Sequence, residues 1–315
     1  MIWALGGGKG GTGKTLIAAS LGILLAREGY DVIVFDGDFG APNLHTAFGI
    51  DRPSKTLLDF ILGREKTLRG VVAPTPMMSN LRIVAGAPAP MNAVGGKYAA
   101  RDDLPDALDD LKCDILIIDT GSGTGARTIE LFLKADVGTI VTTPELASIE
   151  QTYRYIKAIL YHKLKSLDIF SSLSSRRESV LDDVFFNGTT GDMVAVVEKL
   201  MERAAKAGPG ASAAAVEKVF DVNMKLMVNM AKDRRDQLVG ASVCEIVGKF
   251  YGVDMDYIGY VPFDERIARS SRRGRPFVME HPTSEVAACF TLAQKELLRS
   301  APEKPAGSQL SLMRS

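Results

Sequence analysis

Eight residues near the start, Gly8-Lys9-Gly10-Gly11-Thr12-Gly13-Lys14-Thr15, spell the pattern G-x-x-x-x-G-K-[ST] between a short apolar run and a helical one. In that setting the glycines let the backbone curl until successive N–H groups point inward at phosphate oxygens. The following helix adds the positive end of its dipole. Gly8, Gly10, Gly11, Thr12 and Gly13 would form the cradle, Lys14 would supply a cation to the β- and γ-phosphates, and Thr15 a hydroxyl to Mg²⁺. The stretch also reads Gly8-x-Gly10-x-x-Gly13, a dinucleotide fingerprint with Asp36 near the distance of a ribose-binding acid. A dinucleotide has no use for a Lys-Thr pair after the last glycine, whereas a magnesium triphosphate needs both. The implied cofactors are therefore ATP and Mg²⁺.

Two further segments end in carboxylates. Asp36-Gly37-Asp38 closes one apolar run, and Asp119 closes Asp114-Ile115-Leu116-Ile117-Ile118. Both would open onto the C-terminal edge of a parallel sheet, where ligands of open α/β folds bind. Asp119 fits the acid that holds magnesium directly or through water. Asp38, in a loop free to move, is the candidate for orienting the attacking water, and it joins Thr15 and Asp119 in the expected magnesium shell.

These residues need a rigid edge to stand on. Short apolar runs alternate with longer helical patterns, which predicts an α/β fold, a mostly parallel twisted sheet with helices on both faces. Strands are expected at about Ile2–Leu5, Asp31–Phe35, Leu81–Val84, Asp114–Ile118, Gly138–Thr142, Lys225–Val228 and Tyr257–Tyr260; most are continuous Ile/Val/Leu runs, as burial on both faces requires. Between about 161 and 222 the periodicity stays helical with no buried strand, so an inserted helical lobe and possible partner site is expected there, broken by the small residues Ala204–Ser212. Residues 1–299 read as one P-loop domain, and 300–315, with Pro302, Pro305 and Gly307, as a disordered tail.

The 315 residues are 46% hydrophobic and 24% charged, an ordinary globular composition. Thirty-eight basic residues balance 38 acidic ones, so no global field draws nucleic acid or anionic lipid. The three cysteines form no Cys-x-x-Cys, which argues against a disulfide framework, a zinc knuckle or a local iron–sulfur site. Neither a leader nor a membrane-length apolar run is visible, so a soluble cytoplasmic protein is expected. His45, His162 and His281 have no ligand spacing. Arg266, Arg269, Arg272, Arg273 and Arg275 crowd together and could track a phosphate backbone, or simply form a solvated helix and turn.

With these residues in hand, the chain resembles the MinD/ParA group of P-loop ATPases, the deviant Walker A proteins. The most specific mark is Lys9, which in that family reaches across an ATP-bound dimer to the partner's phosphates, a cation supplied in trans. Ile118-Asp119-Thr120-Gly121-Ser122-Gly123 and Val141-Thr142-Thr143-Pro144-Glu145 are similar to the FlhG branch. The resemblance implies that Lys9, Lys14 and Asp38 carry hydrolysis and that Asn229, Pro262 and Asp264 hold adenine. Leu16 stands where relatives have a second hydroxyl, so its contact with the α-phosphate falls to backbone N–H.

The implied function is an ATP-dependent homodimeric switch controlling the position or number of a cellular structure, a flagellum or polar machinery. ParA-like segregation of DNA or cargo is the first alternative, and an ATP-dependent metabolic ligase of the same fold the second. FlhG proteins engage a GTPase through an N-terminal extension; this sequence opens at its first strand, so that route is not expected. The family's membrane-binding tail helix has only Leu310, Leu312 and Met313 as counterparts here, too small an apolar face for stable anchoring.

Overall fold

The computed structural model describes residues 1–86, 103–166, 195 and 219–300. The helical lobe expected over 161–222 lies largely outside them, as do the Ala204–Ser212 break and residues 301–315. Residues 161–166 are simply the last turns of a long helix.

Elements are numbered in chain order over the described residues. The strands are β1 (Ile2–Gly6), β2 (Val32–Asp36), β3 (Val72–Pro74), β4 (Leu81–Val84), β5 (Ile115–Asp119), β6 (Val137–Thr142), β7 (Met224–Ala231) and β8 (Met255–Pro262). The helices are α1 (Lys14–Arg27), α2 (Leu44–Ala47), α3 (Leu57–Ile61), α4 (Leu104–Ala107), α5 (Ala126–Leu133), α6 (Leu146–Ser166), α7 (Arg234–Tyr251), α8 (Glu265–Arg272), α9 (Phe277–Glu280) and α10 (Glu285–Arg299). They build one eight-stranded sheet in the order β3-β4-β2-β5-β1-β6-β7-β8. All neighbours run parallel except β3 and β4.

Helices cover both faces. One core packs α3, α5, α6 and α7 against the sheet through Phe60, Phe132, Ile159 and Val247. The other packs α1 and α10 through Ile17, Leu21, Phe290 and Leu297. Burial on both sides explains why β2 and β5 are apolar in every position before the terminal aspartate. The chain leaves β1 for β2 and β4 on one side, returns to β5, and then crosses β1 to β6, β7 and β8. That reversal opens a crevice at the C-terminal ends of β1, β5 and β6.

Seven of the eight strands match the sequence expectation to within a few residues at each end. The eighth, β3, was not anticipated: it is three residues long, ends in Pro74, and pairs antiparallel at the sheet's edge, where the missing proline N–H costs no ladder bond.

Candidate phosphate and magnesium site

The loop after β1 curls through two left-handed glycines, Gly11 with φ 77° and Gly13 with φ 93°. Gly13 is doubly constrained, since a Cβ there would collide with the Asn229 amide. Gly13 also opens α1 with neither a side-chain cap nor an acid in the first turn. The helix thus presents free N–H groups and its positive dipole end to the bowl, the condition for anion binding.

Lys14 is buried, and its ammonium donates to the Lys9 carbonyl at 3.2 Å. Burial lowers its pKa, while Asp119 and Asp38 oppose that shift by attraction. The Thr15 hydroxyl donates to Asp119 Oδ2 at 2.6 Å. Asp119 Oδ1 is buried without a hydrogen-bond partner among the described residues, as is the Thr12 hydroxyl. Burial pushes the Asp119 carboxyl up to about 6, against the pull of the Thr15 bond and Lys14. A buried, unpaired carboxylate oxygen beside a threonine hydroxyl and a lysine fits a hydrated magnesium triphosphate.

Asp38 sits at the rim, its Oδ1 accepting from Gly40 N and Ala41 N at 2.9 Å each. Its loop is held from below by Asp36, a residue that sequence reasoning considered only for a ribose. Asp36 is 1% exposed and in register with Asp119 across β2 and β5. Its Oδ1 accepts from Asp38 N at 3.1 Å and its Oδ2 from Leu44 N at 3.0 Å. Burial first, and then Asp119, push its carboxyl up to about 7. The Asp36-x-Asp38 spacing was visible in the sequence, but burial of the first carboxylate was not.

Lys9 Nζ lies 2.5 Å from Glu145 Oε2 in an exposed ion pair, and that bond holds the Glu145 carboxyl below its usual range. Glu145 therefore joins the site, though its only sequence signal lay in the family resemblance. The Asn229 amide donates to the Thr12 carbonyl at 2.7 Å and accepts from Met230 N at 2.9 Å, so in this structure it braces the phosphate loop. Pro262 ends β8 opposite Ala231, and Phe263 N donates to the Ala231 carbonyl at 2.8 Å. Asp264 caps α8 by accepting from Arg266 N and from the Arg266 guanidinium. The structure thus gathers the phosphate loop, Asp38, Asp119 and Asn229 at one edge, with Pro262 and Asp264 one strand further out. Arg266, Arg269, Arg273 and Arg275 each face an acid, namely Asp264, Glu265 or Glu280.

Residues 3–277 match the model for the CobQ/CobB/MinD/ParA nucleotide binding domain. The chain is 25% identical to the antiactivator FleN of Pseudomonas aeruginosa over 97% of its own length and 89% of that protein. It is 34% identical to the flagellum site-determining protein YlxH of Helicobacter pylori over 49% of this chain and 52% of that one. In fold it is similar to the septum site-determining protein MinD of Pyrococcus horikoshii complexed with Mg-ADP, with a TM-score of 0.63, 23% identity and coverage of 94% and 95%.

Proposed function

This chain belongs to the CobQ/CobB/MinD/ParA nucleotide-binding family, and on that premise we propose that it is a cytoplasmic ATPase working as a switch, dimeric with ATP and separated by slow hydrolysis. The observation that carries this reading is the pairing of Thr15 with Asp119 at 2.6 Å beside buried Lys14, with the second Asp119 oxygen lacking a hydrogen-bond partner among the described residues. Thr15 and Asp119 would hold the magnesium shell, completed on the loop side by Asp38. Magnesium, once bound with ATP, neutralises charge developing on the phosphates. Lys14 is desolvated in advance, so its charge acts on the β- and γ-phosphates with little screening from water. Asp38 orients the attacking water from a loop that Asp36 anchors.

Lys9 would act in trans. Among the described residues its ammonium is paired with Glu145 in an exposed ion pair. A second subunit stacked over it would offer it phosphate oxygens in exchange for one exposed carboxylate. The names of FleN and YlxH concern antiactivation and flagellar site selection; for this chain we assign the same kind of output, control of the number or position of a flagellum or polar structure. Adenine would lie beyond Asn229, against Pro262.

The test is the solution mass of Asp38→Ala, by size exclusion with light scattering, first in Mg-ADP and then in Mg-ATP. Blocked hydrolysis should trap a dimer with ATP and leave a monomer with ADP. A mass indifferent to nucleotide would sink the dimer switch and bring forward a ligase with a small-molecule acceptor.

A further inference from the structure

The loop that carries Asp38 rests on one face of α5. Arg127 and Leu131 stand one turn apart there, at the i and i+4 spacing that puts two side chains on the same side of a helix. Leu131 is fully buried, and a Cβ on Gly37 would run into its Cδ1, so the backbone just before Asp38 lies against that side chain. Just after Asp38, the half-buried Phe39 packs on the core cluster that contains Leu131. The guanidinium carbon of Arg127 lies 5.4 Å from the centre of the Phe39 ring. A single helix thus grips the loop on both sides of its carboxylate.

Arg127 is not where local rules would put an arginine. It is the second residue of α5, in a first turn that holds no acid. The positive end of the helix dipole disfavours a cation there. Among the described residues Arg127 forms no ion pair, and its half-buried guanidinium faces the Phe39 ring instead. The negative face of an aromatic ring attracts such a cation, the more so as water is excluded from between them.

The same stretch touches the Asp119 side of the site. Gly37 N donates to the Asp119 carbonyl at 2.7 Å, and a Cβ on Gly121 would stand 3.1 Å from the Asp38 Cα, so the two loops run in direct contact. Asp36 holds the backbone from below at Asp38 N. On the outer side Gly40 and Ala41 are exposed, and their N–H groups donate back to Asp38 itself. Between Gly37 and Ala41, Phe39 is therefore the side chain by which the rest of the molecule can hold this turn. We infer that Arg127 is a positioning residue: set over Phe39, it fixes the Asp38 carboxylate relative to Asp119 and so supports hydrolysis, while adding little to nucleotide affinity.

This inference rests on the reading of Asp38 as the residue that orients the attacking water. Lys14 and Thr15 are placed by β1 and α1 rather than by the turn at Phe39, so binding survives the loss of Arg127 while the rate falls. Small displacements of a positioned group lower a rate steeply, and a partly exposed cation–π contact corresponds to about fivefold.

The experiment uses the full chain with three substitutions. Arg127→Met keeps the apolar stem and loses the cation, Arg127→Lys keeps a cation, and Phe39→Leu keeps an apolar side chain and loses the ring face. Hydrolysis is measured at saturating Mg-ATP, and the dissociation constant of Mg with the non-hydrolysable analogue AMPPNP by calorimetry. Arg127→Met and Phe39→Leu should each lower kcat about fivefold and leave AMPPNP affinity within about twofold of wild type. The double variant should fall no further, because both changes remove one contact. Arg127→Lys should recover most of the rate. A kcat for Arg127→Met within about twofold of wild type would overturn the inference, as would a matching fall in AMPPNP affinity. So would Arg127→Lys as slow as Arg127→Met, or Phe39→Leu at the wild-type rate. Asp38→Ala in the same assay tests the underlying reading. Hydrolysis there at the wild-type rate would bring down the role of Asp38 and this inference with it, whereas a slow Asp38→Ala beside an unimpaired Arg127→Met would remove the inference alone.

Discussion

Lys14 and Lys9 are five residues apart, and their surroundings give them opposite duties. Lys14 has been desolvated by the fold itself, and removing it leaves the bowl with helix N–H groups and no fixed cation. Lys14→Ala should therefore abolish ATP binding; micromolar affinity by calorimetry would refute the phosphate-loop assignment. Lys9 is exposed and paired with an exposed glutamate, so it adds little to folding. Lys9→Ala should bind ATP nearly as wild type but hydrolyse it far more slowly, since cations supplied in trans contribute about 10³ to 10⁵ in rate. A steady-state change smaller than about threefold would remove it from the mechanism. Glu145→Gln removes the charge that competes for Lys9 within one subunit. The expected outcome is dimerisation at lower protein concentration in Mg-ATP, read by light scattering, with monomer retained in ADP.

At the scale of elements, the edge beyond β7 depends on how α8 begins. Asp264 is both its cap and the bidentate partner of Arg266. Losing an aspartate cap costs about 1 kcal/mol, which is the stability deficit expected for Asp264→Ala in urea unfolding at pH 7. The Arg266 guanidinium holds this carboxyl below its ordinary value of 3.8. A depressed folded-state value means that the contribution is complete above the unfolded value of about 3.8 and drains away as pH falls through the lower one. The gap between Asp264→Ala and wild type should thus stay constant from pH 7 to about 5 and close on further acidification. A gap independent of pH would show that the packing of the side chain, rather than its charge, is what matters.

For the whole molecule, the balanced charge and the ion-paired Arg266 and Arg269 of α8, with Arg273 and Arg275 of the turn after it, argue against non-specific DNA binding. Retention on DNA–cellulose in Mg-ATP should be weak at 50 mM salt and unaltered by Arg269→Ala; strong retention that falls steeply with salt would favour the segregation alternative. Among the described residues no helix is long and apolar enough to cross a membrane. Much of this molecule was legible in its sequence. The phosphate loop, the two aspartates and seven strands follow from local rules, because glycine curvature, apolar runs buried on both faces and an acid at a strand's end depend only on neighbouring residues. Family resemblance added Lys9, Asn229, Pro262 and Asp264 with expected duties. Short β3 escaped because a three-residue edge strand has too few side chains to show a period. What tertiary structure alone decided is which polar groups lost their water and which found partners: Asp36 beneath its loop, Lys9 against Glu145, and Asn229 on the Thr12 carbonyl. The Lys9 and Asn229 pairings join residues 136 and 217 positions apart, and the burial of Asp36 depends on everything packed around it, so neither leaves a mark in the spacing of residues along the chain.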